Sequence, residues 1–202
     1  MAKQVEFWFE FASTYSYLSA MRIDDLARSS GVKTVWKPFL LGPIFQSQGW
    51  ETSPFNIYKA KGEYMWRDMA RRAERYGLPF QQPNTPDGPG FPQNGLHAAR
   101  IAIVGLDQGW GREFCRQVYA SQFAKGALIS DIDFLSDLAR SLGAPENVLE
   151  LATSADTKAH LRSNVETAQS KGLFGAPSFL VGDELFWGDD RLKDALDWAT
   201  KA

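Results

Sequence analysis

The chain of 202 residues contains a single cysteine, Cys115. One cysteine excludes an intrachain disulfide and any redox cycle that needs two thiols in the same chain, such as that of a Cys-x-x-Cys motif. Cys115 falls on an apolar stripe of a predicted helix together with Phe114, Val118 and Tyr119. That setting is typical of a packed, inert thiol. The sequence therefore excludes dithiol chemistry within the chain.

The chain also lacks an excess of charge of either sign, because 22 Lys and Arg stand against 24 Asp and Glu. No global field attracts nucleic acid or an anionic membrane, and we expect neither partner. No apolar run approaches the ~18 residues of a membrane span. The acidic Glu6 stands where a signal peptide would need its apolar core, so we predict a cytoplasmic location. His97 and His160 lie far apart without a second ligand, and we expect no metal site.

Two segments at opposite ends of the chain are the most informative. Residues 7–18 predict a short strand that stops at Ser13 and turns into a helix, so a hydroxyl lies where backbone N–H groups favour an anion. Residues 175–191 predict a turn led by Pro177, two strands joined by a tight Gly-Asp turn, and a capped helix. This plan is typical of a thioredoxin-like domain, in which the proline is usually cis and faces the site.

The middle of the chain has a different pattern. A strand over 5–11, a helix over about 14–29 and a second, parallel strand from Val32 to Phe39 complete a β-α-β unit. From about 44 to 172 the strand signal vanishes and helical periods with clear caps replace it. Pro83 to Pro92 predicts an irregular surface loop, because proline removes hydrogen-bond donors and glycine raises the cost of ordering.

We therefore predict an α/β protein: a thioredoxin-like domain with a large all-helical insertion. Residues 1–43 and 173–202 would form the thioredoxin-like domain, and residues 44–172 the helical insertion. The chain is long enough to bury a core of this kind.

Three motifs carry a family resemblance: Phe9-Glu-Phe-Ala-Ser-Thr-Tyr-Ser-Tyr-Leu18; Pro54-Phe-Asn56 ahead of Lys61, Tyr64 and Asp68; and Phe174-Gly-Ala-Pro-Ser-Phe179 with Phe186-Trp-Gly-Asp-Asp-Arg191. Together they resemble the 2-hydroxychromene-2-carboxylate isomerases, bacterial relatives of the kappa-class glutathione transferases, over nearly the whole chain. The resemblance implies a thioredoxin-like fold, glutathione as cofactor, a small electrophilic substrate and a homodimer.

The resemblance also implies roles for individual residues. The serine matching Ser13 binds the glutathione sulfur, and Ala176, before Pro177, pairs its backbone with the cysteinyl unit. The γ-glutamyl end is held by the stretch Trp187, Gly188, Asp189 and Asp190. The residue matching Asn56 reaches the second substrate, and we add Lys61 and Trp50 as substrate contacts.

Elementary chemistry supports the role of Ser13. A thiol of pKa ~8.5 is mostly protonated at neutral pH, whereas a hydroxyl donor and a helix N-terminus both favour the thiolate. Ser13 would then be catalytic as a thiolate stabiliser and not as a covalent nucleophile. The alternative is that Ser13 or Thr14 is only an N-cap, which is the commonest use of a hydroxyl at a helix start. Asp189 and Asp190 could likewise be only the cap and first-turn acid of the last helix.

The basic residues that follow Lys61 have a similar alternative. Arg67, Arg71, Arg72 and Arg75 share one predicted helix with Asp68 and Glu74, which favours a solvated, salt-bridged face from which one or two cations guide a substrate carboxylate. Most of the seven tryptophans are expected in the core, with Trp50 and Trp187 beside a ligand.

The chain departs from the resemblance at two places. Leu41 to Gly49 contains no Lys or Arg, where relatives carry a cation for the substrate carboxylate, and Thr14 replaces a proline. We therefore predict a glutathione-dependent isomerase whose substrate differs from a simple 2-hydroxychromene-2-carboxylate unless Lys61 or Arg67 substitutes. The alternatives are a kappa-like glutathione transferase and a non-catalytic glutathione- or thiol-binding module.

Overall fold

A computed structural model of the chain describes residues 3–83 and 90–201. Its centre is a four-stranded mixed sheet of order β2-β1-β3-β4. Strand β1 is parallel to β2 and antiparallel to β3, and β3 is antiparallel to β4. The strands are β1 (Gln4–Phe9), β2 (Lys33–Pro38), β3 (Ser178–Val181) and β4 (Glu184–Trp187).

Helices make up the rest of the regular structure in the described residues. They are α1 (Thr14–Ala20), α2 (Ile23–Ser29), α3 (Leu41–Ser47), α4 (Pro54–Ile57), α5 (Lys59–Tyr76), α6 (Leu96–Gln108), α7 (Gly111–Lys125), α8 (Ile132–Ser141), α9 (Val148–Thr153), α10 (Ala155–Ser170) and α11 (Leu192–Lys201). A 3-10 turn over Asp189–Arg191 leads into α11. The predicted fold class, a thioredoxin-like domain with many added helices, is confirmed. Within residues 3–83 and 90–201, no helix has the length and apolar character needed to cross a membrane.

The sheet is covered on both faces because the side chains of β1 alternate. Phe7 and Phe9 belong to the main core, whereas Trp8 belongs to a second cluster with Val165 and Ala168 of α10. The main core continues without a break into the helices. The Phe11 ring, for example, lies 5.2 Å from the ring of Tyr119 on α7. The helices of the predicted insertion thus share a core with the sheet. The limits of the insertion, at residues 44 and 172, stay a prediction.

Two predicted boundaries were wrong. The first strand ends at Phe9 and not at residue 11, because the Glu10 carbonyl accepts the Ser13 N–H at 2.9 Å and closes a turn. The helix predicted over 14–29 is two helices, α1 and α2. At the break, the Arg22 Nε–H donates to the Leu18 carbonyl at 2.9 Å, and its guanidinium pairs with Asp189 from the far end of the chain.

The second strand and the C-terminal hairpin are confirmed. The hairpin turns at Gly182, whose φ of +60° is open to glycine and strained for other residues. Helix α5 is capped by Gly77, which adopts the left-handed conformation. Most of the predicted loop from Pro83 to Pro92 lies outside the described residues.

Candidate functional site

Ser13 lies at the N-terminal end of α1, between the first strand and the C-terminal loop. Its Oγ accepts the Ser16 N–H at 3.2 Å, so it is the N-cap of the helix. The same hydroxyl donates to the Ala176 carbonyl at 2.8 Å. The Ala176–Pro177 peptide bond is cis, as predicted. The two terminal motifs therefore meet through one hydrogen bond.

A mostly apolar cavity of about 1160 Å³ opens beside Ser13. Eight of the predicted site residues lie on its wall: Ser13, Trp50, Lys61, Ala176, Trp187, Gly188, Asp189 and Asp190. Pro177 is buried behind the wall. Asn56 does not line the cavity, because its side-chain amide donates to the Phe91 carbonyl at 3.1 Å. The structure thus gathers the glutathione-binding candidates in one place and leaves Asn56 outside it.

Asp189 and Asp190 have different surroundings although they are adjacent. Asp189 is buried, and its carboxylate accepts from Ser19 at 2.8 Å, from Arg72 at 2.7 Å and from Arg22. The carboxylate of Asp190 is half exposed, 3.4 Å from Arg191. Both Asp189 oxygens are therefore taken by the protein's own donors, whereas Asp190 has an open side for a ligand.

Glycines shape the C-terminal side of the cavity. A Cβ at Gly188 would lie 2.6 Å from the Asp190 Oδ1, and the φ of Gly188 is +105°. A Cβ at Gly175 would lie 2.4 Å from the Trp187 Nε1. The Trp187 ring is 51% exposed and lies 4.9 Å from that of Phe174. The glycines thus let a pair of aromatic rings stand at the rim beside Ala176.

One face of α5 forms the opposite wall. Lys61, Tyr64, Asp68 and Arg72 recur every three or four residues and all line the cavity. Asp68 accepts a hydrogen bond from the Tyr15 hydroxyl at 3.0 Å, and burial together with Asp68 raises the pKa of Tyr15. The solvated face predicted for most of these basic residues does not include Arg72, because that side chain pairs with buried Asp189. The helical spacing of these four residues was the signal that could have revealed this wall.

Glu10 is a further wall residue that the sequence did not indicate. Its Oε1 accepts the Ala12 N–H at 3.2 Å. Desolvation by burial raises the pKa of the Glu10 carboxyl from 4.5 to about 7, and the hydrogen bond from Ala12 counteracts only part of this. The predicted strand over 5–11 placed this residue inside regular structure, where it had no special role.

Cys115 is fully buried on α7, and desolvation raises the pKa of its thiol. A buried thiol with a raised pKa is a poor nucleophile. The prediction of a packed thiol is confirmed.

The fold and the site define a thioredoxin-like protein in which a serine hydroxyl faces the cis-proline loop across the start of the first helix. The chain belongs to the family of DSBA-like thioredoxin domains, whose model matches residues 4–197. Its cavity and serine, with a single buried cysteine, set it apart from members that exchange disulfides through two thiols of one chain.

Individual relatives sharpen this assignment. The chain is 29% identical over 194 residues to a 2-hydroxychromene-2-carboxylate isomerase of Sphingobium xenophagum, covering 95% of each protein. It is 24% identical to glutathione S-transferase kappa 2 of Caenorhabditis elegans over 97% of this chain and 91% of that protein. A solved 2-hydroxychromene-2-carboxylate isomerase structure superposes with a TM-score of 0.83 at 24% identity, covering 98% of this chain and 94% of the other. The resemblance drawn from the motifs is therefore confirmed.

Proposed function

We propose that the protein is a glutathione-dependent isomerase acting on a small conjugated electrophile. The observation that carries the proposal is the hydrogen bond from Ser13 to Ala176 at the wall of the cavity, in a chain whose relatives include isomerases and a kappa-class transferase. When bound, glutathione would supply a thiolate nucleophile. A cytoplasmic location belongs to the proposal, because the cytosol keeps glutathione largely reduced. A homodimer stays a prediction.

The residues beside Ser13 suit a tripeptide thiol. Among the described residues, the Ala176 N–H has no acceptor, so it is open to a ligand carbonyl. The Ser13 hydroxyl has a single proton, which the Ala176 carbonyl accepts in this structure. When that proton turns to a sulfur in the cavity, the Ala176 carbonyl becomes free to accept a ligand N–H. An extended ligand backbone would then pair with Ala176 in the manner of an added strand.

The far end of the same groove fits the γ-glutamyl group. That group carries an ammonium and a carboxylate, and the half-exposed Asp190 offers a carboxylate for the ammonium. Trp187 and Gly188 shape the groove between Asp190 and Ala176. Direct contact by Asp189 stays a prediction, and its pairing with Arg22 and Arg72 gives it a role in holding this corner together.

The other half of the cavity suits a planar, apolar substrate with one negative group. Trp50 and Phe45 lie on this wall with their ring centroids 5.8 Å apart. Of the two cations expected to replace the missing one, Arg67 does not line the cavity and Lys61 does. In the part of the chain that the structure describes, the Lys61 ammonium has no acidic partner and lies 4.8 Å from the centre of the Tyr58 ring. Lys61 is therefore the cation that we assign to a substrate carboxylate.

Replacing Ser13 by alanine should raise the pKa of the bound glutathione thiol by one to two units, because a hydrogen bond to a charged group contributes about 1.5–3 kcal/mol. The measurement is the ultraviolet absorbance of the thiolate as pH is varied at saturating glutathione. Ser154→Ala removes an equivalent N-cap, that of α10, far from the cavity, and should leave the titration unchanged. Identical titrations for Ser13→Ala and the unaltered protein would contradict the role of Ser13.

Replacing Lys61 by methionine should raise the KM for a carboxylate substrate by about 10- to 100-fold, since one charge-assisted hydrogen bond is lost. Steady-state kinetics on 2-hydroxychromene-2-carboxylate, beside an uncharged electrophile, provide the measurement. Lys59→Met removes an exposed cation on the same helix that pairs with Glu63 at 3.8 Å, and should have no such effect. Equal KM values for the Lys61 and Lys59 variants would show that the carboxylate binds elsewhere.

A kappa-like glutathione transferase is the second candidate, favoured by the similarity to glutathione S-transferase kappa 2. The two activities differ in their product, because a transferase leaves sulfur bonded to the substrate whereas an isomerase regenerates free glutathione. Mass spectrometry of the products with a panel of conjugated electrophiles distinguishes them. Glutathione binding without turnover of any electrophile would instead indicate a non-catalytic binding module.

A further inference from the structure

The Glu10 carboxyl occupies a fixed position in the cavity wall, in the same turn as Ser13. The Glu10 carbonyl accepts the Ser13 N–H at 2.9 Å and the Tyr119 hydroxyl at 2.9 Å, which holds the backbone from both sides. The side chain contributes to the cavity wall and is only 8% exposed. A titratable group is thus held in the wall of the cavity that Ser13 also lines.

The surroundings of this carboxyl contain little that would stabilise a negative charge. Its Oε1 has one donor, the Ala12 N–H. Among the described residues, no Lys, Arg or His forms an ion pair with Glu10, and the titratable group that faces it from α7 is the neutral hydroxyl of Tyr119. From the start of α6, a Cβ at Gly95 would lie 2.8 Å from Oε1, so glycine leaves the space that the carboxyl fills. An isolated buried carboxylate is unfavourable, and a proton relieves that cost.

The other acidic residues on the wall differ in this respect. Asp68 accepts from Tyr15 and lies 3.2 Å from Arg71. Asp189 is paired with two arginines, Asp190 is half exposed and lies 3.4 Å from Arg191, and Glu51 is exposed to solvent. Each of these has a cation, a second donor or water beside it. Glu10 is therefore the wall carboxyl best suited to take up a proton.

Ser13 cannot serve as that acceptor. Its hydroxyl acts as a donor toward the cavity in the proposed function, and its oxygen already accepts the Ser16 N–H. Forming a thiolate next to Ser13 therefore requires a separate group that receives the thiol proton. The alternatives are solvent and a nearby base whose pKa is close to that of a thiol.

Resting on the proposed function, we propose that Glu10 is the proton acceptor for the thiol of bound glutathione. As the S–H bond breaks, its electron pair stays on sulfur and the proton passes to the Glu10 carboxylate, which becomes neutral. The proton returns to sulfur when the thiol is released, so the cycle needs no other reactant. Burial supports this exchange because it raises the pKa of Glu10 to about 7, within about two units of a free thiol at ~8.5.

The experiment counts thiolates and protons separately when glutathione binds. At about pH 8, where Glu10 is mostly ionised and a free thiol is mostly protonated, the ultraviolet absorbance measures thiolate formed on binding. Calorimetry in two buffers of different ionisation heat measures protons released. A thiolate beside Glu10 is a second negative charge, so it should raise the pKa of this carboxyl further and let it hold the proton at this pH. The unaltered protein should therefore form thiolate while releasing far fewer protons than thiolates. In Glu10→Gln, any thiolate formed should be matched by about one released proton.

Two further variants sharpen the comparison. Glu51→Gln removes an exposed carboxyl from the same wall and should give the proton count of the unaltered protein. Glu10→Asp keeps a carboxyl and should restore proton retention at least in part.

The unaltered protein alone can overturn the inference, whatever the folding of the variants. Thiolate formation with about one proton released per thiolate would show that solvent takes the proton and would leave the proposed function standing. Absence of glutathione binding, or binding without thiolate, would overturn the proposed function and this inference with it.

Discussion

Replacing Asp189 by asparagine is expected to lower the free energy of unfolding by about 3–5 kcal/mol, because breaking a buried ion pair leaves an uncompensated charge. The Asp189 side chain is fully buried, and Arg22 and Arg72, which pair with it, are each about one-fifth exposed. Asparagine preserves the shape of the side chain but leaves two guanidinium groups without their carboxylate. Equilibrium unfolding in urea at neutral pH is the measurement.

The neighbouring aspartate provides the control for this prediction. Asp190→Asn removes a carboxylate that is half exposed and pairs only with half-exposed Arg191, so it should change stability by less than about 1 kcal/mol. The consequence reaches the site, because Asp189 joins α5 and the break between α1 and α2 to the loop after β4. Equal stability losses in the two variants would show that the buried network does not stabilise the fold as argued.

Replacing Glu10 by glutamine is expected to raise the free energy of unfolding at alkaline pH. The gain over the unaltered protein should be about 3 kcal/mol larger there than at acid pH. The pKa of Glu10 rises from 4.5 to about 7 in the folded state, so between these values the folded chain binds more protons than the unfolded chain. Stability of the unaltered protein therefore falls as pH rises through this window. Glutamine carries no charge at any pH, so the stability of the variant does not fall for this reason as pH rises.

The test is urea unfolding of both proteins from about pH 4.5 to about pH 8. The difference in stability between Glu10→Gln and the unaltered protein should grow from the acid end up to about pH 7, the folded-state pKa of Glu10, and level off above that pH. The acid end is the internal control, because the carboxyl is neutral in the folded protein there. A difference that does not change with pH would show that Glu10 titrates in the fold as it does in the unfolded chain.

The elements that local sequence determines were predictable. The hairpin of β3 and β4 follows from two short apolar runs around Gly182 and Asp183, and α5 follows from its helical period and Gly77. The break between α1 and α2 was not predictable, because it depends on Arg22 turning toward Asp189, a residue 167 positions away. Tertiary partners of this kind leave no periodic signal near the break.

The candidate site divides in the same way. The terminal motifs indicated Ser13, Ala176 and the stretch from Trp187 to Asp190, all of which line one cavity. Glu10 was missed and the pairing of Arg72 with Asp189 was not foreseen, because both depend on burial, and a charged residue in a strand or helix pattern gives no sign of it. Asn56 lies outside the cavity wall in this structure, where its side-chain amide donates to the Phe91 carbonyl, and its contact with a second substrate stays a prediction.

The position of β1 in the sheet has a consequence for synthesis on the ribosome. One edge of β1 pairs with β2, which follows within about thirty residues, but its other edge pairs with β3, which begins at residue 178. At a synthesis rate of about 5–20 residues per second, that edge of β1 stays unpaired for roughly 10 to 30 s before β3 is made. During this interval the backbone N–H and C=O groups along that edge of β1 are without their partner strand. The yield of folded protein should therefore depend on early chaperone contact at the N-terminal segment and on the rate at which the helical region is translated. Both effects should be far smaller in a chain whose paired strands follow one another directly.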